Sequence, residues 1–476
     1  MRKRRSIHSG HRRLSHYKNK KYGCRRISLK KSDDTSKLKN LAERLIAFGI
    51  EKGADDIEVS IINDHEIDVD VRLGNIENLI EANSRYLSLR IFKDKKTSHA
   101  TSSDLSEETL KYLIKNAIQR ATLTQLDECS GLPSFHPVET DISSLKLSDP
   151  EIPLLDINDI ISLAVDTEKI ALQNKKITNS HGANLEIHDM EKILVNSKSF
   201  LNSYDATFCS LSLHLQAGET DNTVEGSWFS SKRFFNELEK PEQVAKKAVE
   251  KTLRQLNPRK IQTKTVPVVF EPFMTSWLLG FLFYCLSGTS IYQQSSFLTD
   301  KLNQRIGNNN ISVYDDGLLP GQLGTRPFDS EGVPCQKTEV IKNGFLKNYL
   351  CNTYAARKLK LRSTGNAGGS GVYPTNFYLE PEKYSPNDII SSLDKGLILI
   401  RTIGHGLNPV TGDISRGAFG LWVENGDIQY PVSEITISGN LGKILYDIEM
   451  IGNDLDFFSQ VSGPTIKVAE MTVAGA

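Results

Sequence analysis

From Asp56 to Ala82 the chain reads DIEVSIINDHEIDVDVRLGNIENLIEA, with apolar and polar side chains alternating almost residue by residue. A period of two puts successive side chains on opposite faces of an extended backbone, so this stretch predicts half-buried antiparallel strands and excludes a helix. LGN around Gly74 supplies the turn, and YLSLRIFKD continues the alternation.

Helical spacing flanks these strands. LKNLAERLIAFGIEKG places Leu38, Leu41, Leu45, Ile46 and Phe48 on one stripe, ending at Gly53. Ser106 before Glu107 and Glu108 reads as a capped start to a helix with Leu110, Leu113, Ile114 and Ile118 along one side. Residues 127–155 hold Pro133, Pro137, Pro150 and Pro153 among Ser and Asp, and predict an exposed linker. A helix over 156–174, strands between Leu185 and Trp228, and a helix after Pro241 follow. From Val266 on, short strands and glycine-rich turns dominate.

The expected fold class is α+β: an N-terminal mixed helix and antiparallel-sheet domain (36–126), a linker (127–155), a middle α+β segment (156–262) and a C-terminal strand-dominated, barrel-like domain (263–476). The length of 476 residues suits two to three domains.

Residues 1–31 carry 13 Lys and Arg and no acid, which leaves 45 basic against 58 acidic side chains in the remainder. Residues 1–35 are expected to form a basic, disordered arm; the acidic body makes nucleic acid an unlikely partner. The six cysteines, Cys24, Cys129, Cys209, Cys285, Cys335 and Cys351, form no CxxC pair, and no signal peptide is recognisable. Reduced thiols in the cytoplasm are the expectation. The most apolar run, Phe273 to Leu286, is broken by Thr275, Ser276 and Gly280 and falls short of the ~20 residues of a membrane span. It predicts a buried core helix.

His65-Glu66 superficially matches a zinc motif, but it lies in the alternating stretch, with Asp70 where a second His is wanted. His181 and His188 are separated by six residues that include a glycine, with no nearby Cys or acidic partner in ligand spacing, and predict surface or turn histidines. No GxSxG, phosphate loop or GxGxxG occurs. The glycine cluster STGNAGGSGVYPTN (363–376) suits a conformational role better than anion binding.

GHGLNPVTGDISRGAFGLWVENGDI (404–428) is the most individual stretch. Gly404, Gly406 and Gly412 suit tight turns, Asp413 and Arg416 are near enough in sequence for a local ion pair, and Asn425-Gly426 predicts a hairpin. Together with DDGLLPGQLGTRPFDSEGVP (315–334), IKNGFLKNYLCNTYAARK (341–358), STGNAGGSGVYPTNFYLEP (363–381), YPVSEITISGNL (430–441) and IGNDL, it resembles the TldD/PmbA family, in its PmbA (TldE) branch.

That resemblance implies a cytoplasmic subunit that pairs with a TldD-type metalloprotease and acts on unfolded or flexible peptides. It also implies that zinc sits in the partner, on an HExxxH helix with a cysteine further along. The equivalent helix here, Pro272 to Leu286, has neither His nor Glu, and no cysteine follows Cys351. This chain is therefore expected to hold no metal, to be non-catalytic, and to help wall a peptide cavity, with Gly365, Asn366, His405, Asn408, Asp413 and Arg416 as candidate groove residues. Two alternatives stand beside it: an active metalloprotease with unconventional ligands such as His405, Asp413 and Glu424, or a non-enzymatic modulator of a toxin or topoisomerase.

Overall fold

The computed structural model describes residues 32–134, 136–219, 222–369 and 371–475; the basic stretch 1–31 lies outside them. The chain opens with helix α1 (Ser32–Glu51), strands β1 (Asp56–Arg72), β2 (Asn75–Lys93) and β3 (Lys96–Ser102), and helix α2 (Glu107–Leu123). Then come α3 (Ile157–Ala171), β4 (Ile177–Asn196), β5 (Leu201–Ala217), β6 (Val224–Lys232) and α4 (Pro241–Leu253).

The strands of both segments form one antiparallel sheet in the order β3-β2-β1-β4-β5-β6. β1 pairs along almost its whole length with β2 on one edge and with β4 on the other. Ile57, Val59 and Ile61 enter a core with α1 and α2, and Ile67, Val69 and Val71 enter a second core with α3 and α4. All four helices thus cover one face. The opposite face carries Asp64, Glu66, Asp68 and Asp70 of β1.

The 127–155 segment corrects the expectation of an exposed linker. Leu132, Leu145, Leu147, Asp149 and Ile152 are buried. Asp141 caps a short helical turn through the Ser143 amide, and the buried Asp149 carboxylate accepts from the amides of Glu151 and Phe235 at 2.9 and 2.8 Å. Short Asp-anchored bends turn isolated apolar side chains inward, which a Pro-rich composition conceals.

The C-terminal part contains β7 (Lys264–Phe270), α5 (Pro272–Leu286), α6 (Gly288–Tyr292), β8 (Val313–Asp316), β9 (Lys337–Lys342), β10 (Phe345–Leu346) and α7 (Thr353–Leu359). β11 (Ala367–Gly368), β12 (Gly371–Val372), β13 (Phe377–Leu379), α8 (Pro386–Ser391), β14 (Lys395–Ile403), β15 (Leu407–Asn408) and β16 (Asp413–Glu424) follow. The chain ends with β17 (Asp427–Asn440), α9 (Leu441–Asp447), β18 (Ile448–Ile451), β19 (Val461–Ser462) and β20 (Ile466–Ala474). One sheet runs β14-β7-β20-β17-β16-β15 and closes on itself through β14 and β16, which makes the expected barrel. A five-stranded sheet, β10-β9-β8-β13-β19, lies beside it. Helix α5 fills the space between, with Leu278, Leu279, Leu282, Cys285 and Leu286 in the largest core.

Arg233, just after β6, is 7% exposed and donates to the carbonyls of Gln322, Leu323 and Thr325. Arg90 of β2 pairs with Glu58 at 2.9 Å and with Glu331 at 2.8 Å. These buried contacts hold the sheet against the C-terminal part.

Candidate functional site

The glycines of the 404–416 loop are conformational. Gly404, Gly406 and Gly412 have φ of 79°, 141° and 82°, and a Cβ on Gly406 would meet the Ser415 carbonyl at 1.8 Å. Only glycine lets β15 fold back so closely on β16. The predicted hairpin is present, with Asn425 and Gly426 both in the left-handed region between β16 and β17.

Asn408 is exposed, and its carboxamide oxygen accepts from the Val410 amide. Asp413 is exposed and accepts from Thr411 Oγ1 at 2.6 Å and Asn440 Nδ2 at 2.9 Å, and the Thr411 bond leads in holding its carboxyl below the usual range. The expected Asp413–Arg416 pair is not formed. Both residues lie in β16, where an odd spacing sends side chains to opposite faces. Arg416 instead places its guanidinium 5.2 Å from the Trp277 ring centroid. His405 is exposed and makes no side-chain hydrogen bond among the described residues.

Gly365 and Asn366 are buried rather than groove-facing. A Cβ on Gly365 would lie 2.7 Å from the Pro334 carbonyl. Asn366 donates to the buried Asp315 at 2.6 Å and to the Tyr373 carbonyl at 3.0 Å. Asp315 also accepts from the Thr375 amide and hydroxyl at 2.9 and 2.7 Å, and burial raises its pKa. Asp329, beneath the same loop, accepts from the Ala367 amide and is pushed up to about 7 by burial and the neighbouring Glu331 charge. These groups weld the glycine loop in place from below.

The histidines divide similarly. His65 is 5% exposed within β1, as its strand pattern implies. His188 corrects the expectation of an unpartnered surface ring: Nδ1 lies 2.9 Å from Asp64 and Nε2 2.8 Å from Glu186. Glu186 is two residues away on the same strand face, and Asp64 comes from the neighbouring strand. The Asp64 bond leads in pushing its pKa up to about 9. Among the described residues no three His, Cys, Asp or Glu side chains converge as metal ligands, so His405, Asp413 and Glu424 form no such group.

What the sequence did not separate from core is the outward stripe of α5. Phe273, Trp277, Gly280 and Tyr284 recur at four, three and four residues and share one face. Tyr284 is 54% exposed, Phe273 and Trp277 are half-buried, and a Cβ on Gly280 would meet nothing within 4 Å. Phe273 stacks against Trp228 and Phe229 of β6 and against Phe458, at centroid distances of 5.3, 5.4 and 4.3 Å. Trp277 sits under Arg416. An aromatic stripe therefore runs ~16 Å along the helix, from the edge of the N-terminal sheet past the 404–416 loop, and marks a candidate groove.

Sequence comparison decides the family. The PmbA/TldA metallopeptidase domain 1, central domain and C-terminal domain match residues 57–121, 150–256 and 263–475. Metalloprotease PmbA of Escherichia coli O157:H7 is 32% identical over 453 residues, which cover 94% of this chain and 99% of that protein. The chain belongs to the PmbA/TldA metallopeptidase family. Two solved structures share its fold. A protein of Bacteroides thetaiotaomicron described as a modulator of DNA gyrase superimposes with a TM-score of 0.85 at 25% identity, covering 94% of this chain and 100% of that one. TldE from Thermococcus kodakarensis superimposes at 0.80 and 23% identity, covering 91% and 100%. The family's C-terminal domain contains the barrel, α5 and the 404–416 loop together. No helix among the described residues is long and apolar enough to cross a membrane.

Proposed function

We propose that this chain is the PmbA/TldE-type, non-catalytic subunit of a TldD/TldE-type metalloprotease. It pairs in the cytoplasm with a TldD-type subunit that carries the zinc, and walls the cavity that receives unfolded or flexible peptides.

The carrying observation is the outward face of α5. Peptide hydrolysis on zinc needs three protein ligands and a general base. This face offers Phe273, Trp277, Gly280 and Tyr284, none of which can ligate zinc in that role. The donor set does not fit a catalytic zinc. An aromatic floor suits an extended peptide instead, because rings bind side chains of varied sequence through apolar contact.

Co-expression with a TldD-type subunit tests the reading. A stable heterodimer is expected, and only the pair should hydrolyse an unfolded peptide. The chain alone should bind no stoichiometric zinc; tight zinc and chelator-sensitive cleavage by it alone would refute the proposal. Under the rival reading, in which His405 is catalytic, His405→Ala abolishes activity; here the pair retains it.

A further inference from the structure

A pocket of about 210 Å³ opens where β5, β6 and α4 meet the start of α5 and the strand β14. Its apolar lining includes Phe229, Phe273 and Ile400, and its polar lining includes His214, Glu225 and Arg401. The charges here are committed with one exception. Lys251 and Arg254 both bind Glu271, at 2.7 Å from Nζ and 2.7 Å from Nη2. Glu225 lies 3.5 Å from His181 and 3.8 Å from His214.

Arg401 makes no side-chain hydrogen bond or ion pair among the described residues. Its Nε is buried without a partner, and its guanidinium stacks 4.1 Å from the Phe419 ring centroid. A break in the β14–β16 register between Leu399 and Arg401 accompanies this placement, and such bulges re-aim side chains. Burial lowers the Arg401 pKa, with Glu225 opposing at longer range; the group stays charged at any physiological pH.

A half-buried guanidinium stacked on an aromatic ring, with neither Nη atom hydrogen-bonded among the described residues, can receive a carboxylate in a two-pronged hydrogen bond through those two nitrogens. The volume is below the ~300 Å³ at which pockets take drug-sized ligands, which limits the occupant to about one residue. Phe273 belongs both to this pocket and to the start of the α5 groove, so a chain lying in the groove can end here. We propose that the pocket takes the C-terminal carboxylate of a peptide whose last side chain is apolar or aromatic. This rests on the peptide-binding role proposed above.

The test uses the full chain and a short unstructured peptide ending in Phe, supplied as the free acid and as the C-terminal amide, titrated by calorimetry. The acid is expected to bind at least ~10-fold more tightly, as a charge-assisted hydrogen bond implies. Arg401→Gln should erase the difference and Arg401→Lys keep part of it, with melting curves showing both variants folded. Glu225→Gln should tighten the acid by removing a like charge. Equal affinity for acid and amide, or discrimination that survives in Arg401→Gln, overturns the proposal; so does weaker acid binding in Glu225→Gln. N-acetyl-L-phenylalanine binding as tightly as the peptide would mark a small-acid site and overturn the peptide assignment. Co-elution with a TldD-type subunit is scored separately. Pairing without discrimination sinks the pocket alone, whereas discrimination without pairing sinks the subunit reading and leaves the pocket standing.

Discussion

Gly280 offers a direct measurement of whether the α5 groove is open. Glycine inside a helix costs ~1 kcal/mol relative to alanine, through backbone entropy that alanine does not have to lose. Natural helices accept that cost where something packs against the missing Cβ. At Gly280 nothing lies within 4 Å of the position a Cβ would take, and φ is not positive. Gly280→Ala should therefore stabilise the protein by about 0.5–1 kcal/mol and raise Tm by about 1–4 °C in calorimetry. Gly288, two residues beyond the same helix, is the internal control. Its Cβ would sit 2.6 Å from Cys351 Sγ, 3.0 Å from Ala355 Cβ and 3.1 Å from the Leu350 carbonyl, so Gly288→Ala should destabilise by about 1–3 kcal/mol through overpacking. Gly280→Phe then fills the groove without burying a polar group: the fold should tolerate it, while hydrolysis of a peptide by the pair with a TldD-type subunit falls. A lowered Tm for Gly280→Ala means the helix face is covered and refutes the groove. Unchanged hydrolysis with Gly280→Phe refutes its role in peptide binding.

Other consequences are simpler to check. Asn366→Ala removes a donor from the buried Asp315 and should cost about 1–3 kcal/mol in denaturant unfolding. His188 has a folded pKa raised to about 9, so its contribution is complete below the ordinary value of ~6.5 and is lost as pH rises through about 9. His188→Gln should flatten the loss of stability that unfolding curves show across that window. Burial pushes the thiols of Cys209, Cys285, Cys335 and Cys351 up to about 12. Alkylation of the native protein near pH 8, read by mass spectrometry, should spare all four and mark the less buried Cys129.

Local periodicity and turn chemistry were legible in the sequence. The β1 alternation, the helix Pro272–Leu286 and the Asn425-Gly426 hairpin each depend on neighbours a few residues away, where backbone sterics and side-chain period act. What could not be read was which edges meet. Nothing within β1 names β4 as its second neighbour, so one sheet looks like two units. Asp413 and Arg416 look like a pair until the strand sends them to opposite faces. His188 is held from Asp64, far off in sequence. Arg401 sits in the plain strand LILIRTI, and it stands out only when β14 is placed beside β6 and α5.

The same dependence governs α5. Apolar residues surround it, and sequence alone cannot tell the face that meets Leu279 and Leu282 from the face that carries Trp277 and Tyr284. Once they are told apart, the aromatic face differs from a metal-binding face by more than missing ligands. Arg416 stands over Trp277, so a histidine at 277 would present its ring next to a fixed positive charge. That charge would repel a dication and disfavour its ligation. Trp277→His should therefore create no zinc site even with two further ligands supplied nearby, and only the same set combined with Arg416→Gln should bind the metal in a zinc titration. Zinc bound by Trp277→His and the added ligands with Arg416 intact would refute the part assigned to the Arg416 charge.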